Sequence, residues 1–369
     1  MAVNFAQWGN DLYTGRRSYD IVGTRKIWLG ISLVLVVLSI TILLTKGLTG
    51  SIEFRGGSEF TITNVSTTSQ QTAIDVVTTV APAETVRVST VGANALRVQT
   101  STLTAEEVQS VRAALAEAYE VPPEDVTSAF IGPTWGQDVS SKAIQGVIVF
   151  VLLAMGFMTI YFRTWRMAVA AIGSLLQDLF ITIGIYALVG FAVSPATVIG
   201  LMTILAYAIY DVVVVFDKVR ENTRGVLDQT RSTYAERANL AVNQTIVRSI
   251  NTSVVAALPV AAILFVGAFL LGAGTLRDIS LALFIGILVS GYSSIFVATP
   301  LDVALQETGA KVKEHTARVL ELRAQAVAES GEEPDAARIA AAGVEAGGRA
   351  QLKPGAHLGH AAQPKRKKR

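Results

Sequence analysis

The amino-acid sequence predicts a polytopic α-helical membrane protein: six transmembrane helices and one small α+β domain between the first two. Three observations predict this class. Of 369 residues, 51% are hydrophobic and only 16% are charged. The mean hydropathy of +0.47 is typical of helical membrane proteins. Six apolar segments each approach the ~20 residues that a helix needs to cross a bilayer, and one large polar block interrupts them.

The chain begins with a polar, basic segment, residues 1–26, which carries Arg16, Arg17, Arg25 and Lys26. We expect this segment to lead into the first transmembrane helix along the cytoplasmic surface. The first apolar span covers residues 27–44, and Lys46 follows it.

Residues 45–141 form the polar block, whose elements can be predicted from their periodicity. The segment SIEFRGGSEFTIT alternates like a strand with an interruption at Gly56-Gly57, and residues 67–79 read as a helix. Two alternating segments, ETVRVST and ALRVQTS, predict a hairpin joined at Gly92-Ala93-Asn94. Thr104 with Glu107 forms a capping box for an amphipathic helix. The final strand is VTSAFIGP, so the order β-α-β-β-α-β predicts a ferredoxin-like domain.

Five further spans follow the polar block. Their approximate bounds are residues 142–162, 167–190, 195–216, 246–269 and 278–299. In the last span Gly286, Ser290 and Ser294 recur every four residues, a small-residue stripe that indicates helix packing. Pro259 is expected to kink the fifth span.

The distribution of Lys and Arg predicts the orientation of the chain in the membrane. Basic residues are concentrated before the first span, at the turn that contains Arg163 and Arg166, and in the loop after the fourth span. The turn at residues 190–194 has none, and the polar block has more acids than bases. We therefore expect both termini in the cytoplasm and the folded domain outside.

The tail after residue 300 begins as an amphipathic surface helix, KVKEHTARVLELRAQAVAES. It then becomes rich in Ala, Gly and Pro and ends in PKRKKR, a composition that predicts disorder. The basic end is suited either to anionic lipid or RNA contacts or to a solubilising, orienting function. We assign it no nucleic-acid partner.

Composition also excludes several kinds of catalytic site. The chain has no cysteine, and its three histidines, His315, His357 and His360, all lie beyond the last span. No phosphate-binding motif of the G-x-x-x-x-G-K-[ST] type is present. We expect no metal, no cofactor and no enzymatic activity.

The chemically unusual feature is an acid within an apolar span. Asp211 lies in residues 195–216, which contain no Lys, Arg or Glu, and the next span carries a base, Arg248. The two helices run antiparallel and place both residues at a similar depth, so they are expected to pair. Tyr207 and Tyr210 are candidates for hydrogen bonding to Asp211. Asn251 and Thr252 make the region around Arg248 polar, as expected beside a hydrated path.

Two hypotheses explain this acid and base. A static ion pair would only hold two helices together, whereas movement of Arg248 towards and away from Asp211 would make the carboxylate release and bind a proton. Intramembrane acids usually have a function, which favours the second hypothesis. Asp178, beside Gln177 in the third span, is either a relay or a helix-packing partner.

Four local sequences make the chain resemble the SecF family, the smaller subunits of the SecDF complex and relatives of half of an RND-type transporter. They are YTGRRSYDIVG, IEFRGGSEF, PATVIGLMTILAYAIYDVVVVFDKVREN and NQTIVRSINTS. The resemblance covers residues 13–301. It implies that Asp211 and Arg248 take part in proton-driven function. The run around Ala206 and Ala208 departs from the family pattern, as does Gln177, where the family often has histidine.

The resemblance implies a mechanism and a set of partners. A preprotein leaving the SecYEG channel would be bound outside the cytoplasmic membrane, and proton flow would drive movements that pull it forward. SecD would complete the complex, SecA would supply ATP hydrolysis, and YajC is a further candidate partner. Two alternatives remain from the residues themselves: a component of an RND-type proton-coupled exporter of small molecules or lipids, and a membrane scaffold without transport.

Overall fold

The computed structural model describes residues 5–82, 86–91, 94–270 and 274–330. Within these residues, six helices are long and apolar enough to cross a membrane. They are α2 (Arg25–Lys46), α6 (Pro133–Phe162), α7 (Trp165–Val189), α8 (Pro195–Thr223), α9 (Tyr234–Ala262) and α10 (Gly274–Ser293). All six predicted spans are thereby confirmed, and the chain is a multi-pass helical membrane protein.

Several helices continue beyond the apolar segments from which they were predicted. Helix α9 starts at Tyr234, where Thr233 and Glu236 form a capping box, although the apolar segment starts only near residue 246. Helix α6 starts at Pro133, a residue suited to the first helical position. Hydropathy detects the part of a helix that is apolar, and polar turns that pack on other protein segments extend the helix without extending that signal.

Two helices contain π-helical turns. After Pro259, the α-helical part of α9 ends at Ala262 and π-helical turns follow at Ile263–Leu270. Pro259 lies inside the α-helical part of α9, where it lacks the backbone N–H that the α-helical ladder requires; the kink expected there stays a prediction. Helix α10 passes into π-helical turns at Ser294–Ala298 and continues as α11, Thr299–Gln306.

Between α2 and α6 the chain forms a four-stranded antiparallel sheet with two helices, here named the sheet domain. Its strands are β2 (Gly57–Ile62), β3 (Arg87–Thr90), β4 (Leu96–Thr100) and β5 (Val126–Ile131), in the order β3-β4-β2-β5. Helices α4 (Gln70–Val80) and α5 (Ala105–Ala118) cover the sheet, and the capping box of Thr104 and Glu107 is formed as predicted. The order of elements is the predicted one. In the predicted hairpin, Gly92 and Ala93 lie outside the described residues.

The structure corrects one prediction in this domain. SIEF was predicted as strand, but Ile52–Arg55 form one helical turn, α3, and β2 begins only at Gly57. Gly56 and Gly57 adopt positive φ angles of 77° and 140°, which turn the chain between α3 and β2. The four residues Ile52–Arg55 alternate between apolar and polar side chains. A segment this short fits one helical turn as well as a strand, so its periodicity could not distinguish a helix from a strand.

The sheet domain contacts the helical bundle at three places. Strand β1 (Thr49–Gly50), which follows α2, pairs in parallel with β6 (Ala192–Val193) between α7 and α8. The turn α3 packs so closely on α6 that a Cβ atom at Gly136 would lie 2.9 Å from the backbone of Phe54. Arg277 of α10 donates from Nη1 to the carbonyl oxygen of Thr90 at 3.2 Å. The domain is thus joined to α6, α7, α8 and α10.

The opposite end of the bundle is covered by two further helices, α1 (Phe5–Tyr13) and α12 (Ala310–Ser330). The segment after α1 is bound by Asn239 and Asn243 of α9, which accept from backbone N–H groups of Ile21 and Tyr19 at 3.0 and 2.8 Å. Arg323 of α12 pairs with Glu236 of α9 at 2.6 Å. The surface helix predicted after residue 300 is confirmed. The part of the tail that was predicted to be disordered, with its PKRKKR end, lies outside the described residues.

Candidate functional site

Asp211 lies inside the bundle on α8 and is only 2% exposed. Its Oδ1 accepts a hydrogen bond from Ser249 of α9 at 3.3 Å. Among the described residues, its Oδ2 has no hydrogen-bond partner. Half of the carboxylate is therefore buried without a donor, which is costly for an ionised group in a low-dielectric environment.

Arg248 is adjacent to Ser249 on α9, but its side chain is exposed. Its Nη2 lies 3.5 Å from the hydroxyl of Tyr210, and the described residues show no ion pair within 4.0 Å between Arg248 and Asp211. The expected direct pair is therefore not formed in this structure. Consecutive helical residues point about 100° apart. In this structure Ser249, and not Arg248, makes the hydrogen bond to Asp211.

The two tyrosines also differ from the expectation. Tyr207 donates from its hydroxyl to Ser253 of α9 at 3.4 Å, and Tyr210 contacts Arg248. Among the described residues, neither hydroxyl is hydrogen-bonded to Asp211. Both contacts connect α8 with α9.

Arg248 lines an open cavity of about 600 Å³ at the contact between α1 and α9. Asn251 and Thr252 line the same cavity, together with Gly9 and Tyr13. Thr252 donates its hydroxyl to the carbonyl oxygen of Arg248 at 2.8 Å. The polar environment predicted around Arg248 is therefore a cleft at the protein surface, next to the buried acid.

Asp178 of α7 is a second buried acid, 1% exposed. Neither carboxylate oxygen has a hydrogen-bond partner among the described residues. It is a neighbour of Asp211 inside the bundle. The neighbouring Gln177 accepts a hydrogen bond from Ser32 of α2 and thereby connects α2 to α7.

Two consecutive serines of α10 face these acids. Ser293 lies beside Asp178 and Ser294 beside Asp211, both with fully buried side chains. The hydroxyl of Ser293 has no hydrogen-bond partner among the described residues, whereas that of Ser294 donates to the carbonyl oxygen of Gly291 at 3.3 Å. We name Asp178, Asp211, Ser249, Ser293 and Ser294 the polar seam. It joins α7, α8, α9 and α10 inside the bundle.

The sequence reasoning identified Asp178 and Asp211 but not the serines that face them. Gly286, Ser290 and Ser294 were interpreted as a packing stripe, and the packing is confirmed at Gly286, which has no room for a Cβ atom against Ile204 of α8. Ser294 belongs to both the stripe and the seam. The signal that could have found the seam is the pair of consecutive serines, Ser293 and Ser294, within an apolar span.

The chemistry available to this site is proton binding. Two carboxyl groups are enclosed by helices, their nearest partners are hydroxyl groups, and a guanidinium lies one residue away on α9. The described residues contain no group of three His, Cys, Asp or Glu side chains that could hold a metal ion. A cleft reaches the guanidinium from the surface.

Comparisons with known proteins were made by sequence and by structure. A family model described as "Protein export membrane protein SecD/SecF, C-terminal" matches residues 110–308. "Protein translocase subunit SecF" of Streptomyces coelicolor is 46% identical over 321 residues, 87% of this chain and 85% of the relative. The protein of the same name from Mycobacterium tuberculosis is 41% identical over 344 residues, 88% of this chain and 77% of the relative.

Two solved structures of SecDF also resemble the chain. The crystal structure of the Thermus thermophilus protein, described as translocon-associated, aligns with a TM-score of 0.68 at 28% identity. A super-membrane-facing form of SecDF aligns with a TM-score of 0.58 at 28% identity. The alignments cover 79% and 82% of this chain but 39% and 40% of the SecDF chains. The chain thus spans about two fifths of the length of these SecDF proteins.

Proposed function

Because the chain belongs to the SecD/SecF family of protein-export membrane proteins, we propose that it assists the Sec translocase by using the proton motive force in late steps of preprotein translocation. The first partner that we propose is SecD, since the solved SecDF chains extend well beyond the part that this chain covers. SecYEG, SecA and YajC are further proposed partners on the same pathway, and the substrate is an unfolded preprotein. Protons are the coupling ion.

The observation that carries the proton-coupled part of this proposal is the buried Asp211, one of whose carboxylate oxygens has no donor among the described residues. A carboxylate in such a place binds a proton when no cation is near, and an approaching guanidinium favours its ionised form. Arg248 and Ser249 are consecutive on α9. A turn of α9 by about 100° relative to α8 would exchange the Ser249 hydroxyl for the Arg248 guanidinium at Asp211. We propose this exchange as the coupling step.

The rest of the polar seam gives the proton a second position. Because Asp178 is a neighbour of Asp211 inside the bundle, a single proton can be shared between the two carboxyl groups. Ser293 and Ser294 each lie beside one acid, and hydroxyl groups can both donate and accept. We propose that Asp178 acts as a relay rather than only as a packing residue. Tyr207, Tyr210, Asn251 and Thr252 are proposed to support the cleft and the position of Arg248.

Movement in the bundle has a direct route to the sheet domain. Helix α10 contacts β3 through a hydrogen bond from Arg277 to Thr90. Strand β6, which connects α7 to α8, pairs with β1. We propose that the sheet domain lies outside the cytoplasmic membrane, with both termini in the cytoplasm, as the distribution of basic residues indicates. Displacement of α7, α8 or α10 would then be transmitted to a domain facing the emerging preprotein.

Two alternatives compete with this function. An exporter of small molecules or lipids is disfavoured by the names of the relatives, which are translocase subunits. A scaffold held by a static Asp211–Arg248 clasp is disfavoured because the described residues show no such ion pair.

The test is preprotein release from right-side-out vesicles depleted of the native protein and supplied with wild type or Asp211→Asn, together with SecD. Asp217→Asn on the same helix is the matched control, because Asp217 is partly exposed and bonds to Tyr161 at 2.7 Å. We expect both variants to assemble normally and only Asp211→Asn to lose gradient-dependent release. Wild-type release by Asp211→Asn would refute proton coupling at this residue. Loss of assembly instead would favour the scaffold.

A further inference from the structure

A cavity of about 480 Å³ opens on the bundle at the end near the sheet domain. Helices α6, α7 and α8 supply its walls, with Val147, Leu179 and Leu201 among the lining residues. Leu48 and Arg55, from the segment between α2 and the sheet domain, line the cavity at the end near the sheet domain. The volume falls within the roughly 300–1,000 Å³ typical of ligand pockets.

The three hydroxyl groups among the lining side chains, those of Ser140, Tyr186 and Thr197, are already hydrogen-bonded. Ser140 donates to the carbonyl oxygen of Phe54 at 3.3 Å, and Tyr186 donates to a backbone carbonyl of α10 at 3.3 Å. Thr197 is engaged in the capping box of α8. A polypeptide segment in extended conformation would bury unsatisfied backbone groups against such walls, which is costly in a membrane. A hydrocarbon chain needs no partners there.

The mouth of the cavity is cationic. Arg55 is exposed, lines the cavity and bonds to the carbonyl oxygen of Leu48 through Nη2 at 3.3 Å. Among the described residues it forms no ion pair within 4.0 Å. Guanidinium groups bind phosphate through paired, charge-assisted hydrogen bonds. The cavity therefore combines an apolar slot with a free cation at its entrance.

The surrounding surface points to the membrane as the source of the ligand. Ile144 and Ile148 line the cavity, yet 62% and 53% of their side chains are exposed on α6. Helix α6 crosses the membrane, so these side chains meet lipid at the cavity's lateral opening. A lipid can enter from the side without leaving the bilayer.

We propose that this cavity binds one anionic phospholipid, with an acyl chain between α6, α7 and α8 and the phosphate at Arg55. The bound lipid fills the space between α6 and the helices that carry Asp178 and Asp211. The site is separate from the polar seam, and its existence does not depend on proton coupling.

The test is native mass spectrometry of the full-length chain in detergent, titrated with phosphatidylglycerol or phosphatidylethanolamine. Val147→Phe fills the cavity, and Val149→Phe is its matched control on a lipid-facing side of the same helix, where Val149 is 54% exposed. Arg55→Gln removes the cation, and Arg16→Gln removes an exposed arginine near the N-terminus. We expect wild type and both controls to bind one phosphatidylglycerol. Arg55→Gln should bind it about tenfold more weakly, as loss of a charge-assisted contact implies. Val147→Phe should bind it more weakly as well, because the new ring occupies the space of the acyl chain.

Three results would overturn the proposal. Undiminished binding by Val147→Phe excludes an acyl chain in the cavity, and equal binding of the two lipids by wild type excludes selection of an anionic phospholipid by Arg55. Displacement of the lipid when SecD assembles would assign the cavity to a protein interface. If Val147→Phe unfolds, as shown by its thermal unfolding, Ala143→Met on the same wall replaces it with the same expectation.

Discussion

A disulfide between α9 and α10 would test whether α9 moves during coupling. A Cβ atom at Gly291 of α10 would lie 3.2 Å from the Cβ atom of Ser253 of α9. Disulfides have Cβ···Cβ distances of about 3.5–4.5 Å, so a cysteine pair here needs a shift of only a few tenths of an ångström. The chain contains no cysteine of its own. The variant Ser253→Cys/Gly291→Cys would therefore carry a single dithiol pair, one turn along α9 from Ser249.

The expected result has two parts. Oxidation should close the disulfide nearly completely, measured as the loss of thiols that react with a maleimide-coupled polyethylene glycol. Because a locked α9 cannot exchange Ser249 for Arg248 at Asp211, gradient-dependent preprotein release should fall to the level without a gradient. Reduction of the disulfide should restore release to the level of the unoxidised variant.

The matched control locks two helices that the proposed step keeps together. A Cβ atom at Gly200 of α8 would lie 2.9 Å from the Cβ atom of Ala282 of α10, so Gly200→Cys/Ala282→Cys is also within reach of a disulfide. Its closure should leave release unchanged. If the α9–α10 disulfide forms fully and release persists, the turn of α9 is refuted. If no disulfide forms between positions 253 and 291, the observed packing of α9 on α10 is wrong.

Two further predictions concern stability. Gly286→Leu should destabilise the chain by about 1–3 kcal/mol, because the new side chain overlaps Ile204. The control Gly156→Leu should not destabilise it, because nothing lies within 4 Å of a Cβ atom at Gly156. Unfolding in detergent measures both variants, and an equal loss of stability in the two would contradict the packing of Gly286 on Ile204. Hydrogen bonds from Thr104 hold the pKa of Glu107 below its usual 4.5; the bond from the backbone N–H has the larger effect and the bond from the side chain the smaller. The stability that these bonds contribute is present above pH 4.5 and is lost as the pH falls through the lowered pKa of Glu107. The difference in thermal unfolding between wild type and Thr104→Ala should therefore shrink in acid, and an unchanged difference would contradict this.

Most of the helical architecture was predictable because membrane burial leaves a strong local signal. All six spans, the capping box of Thr104 and the surface helix α12 were found from hydropathy, spacing and amphipathic period. The resemblance to the SecF family, carried by four local sequences, is likewise confirmed. The failure at Ile52–Arg55 has a physical cause, since its length suits either a strand or a helical turn. The location of Asp211 within a span was visible in the sequence, but its partner was not.

The sequence by itself determined which groups are forced into the membrane, because an apolar span of ~20 residues carries any acid within it into the bilayer. It therefore determined that Asp178 and Asp211 lie within membrane-spanning segments. Only the tertiary structure decided what faces them. The rotation of α9 about its own axis selects Ser249 over Arg248 as the contact of Asp211, and the rotation of α10 directs Ser293 and Ser294 to different acids. Such rotations depend on how side chains of neighbouring helices fit together, for example Gly286 against Ile204, and no local sequence signal records that fit.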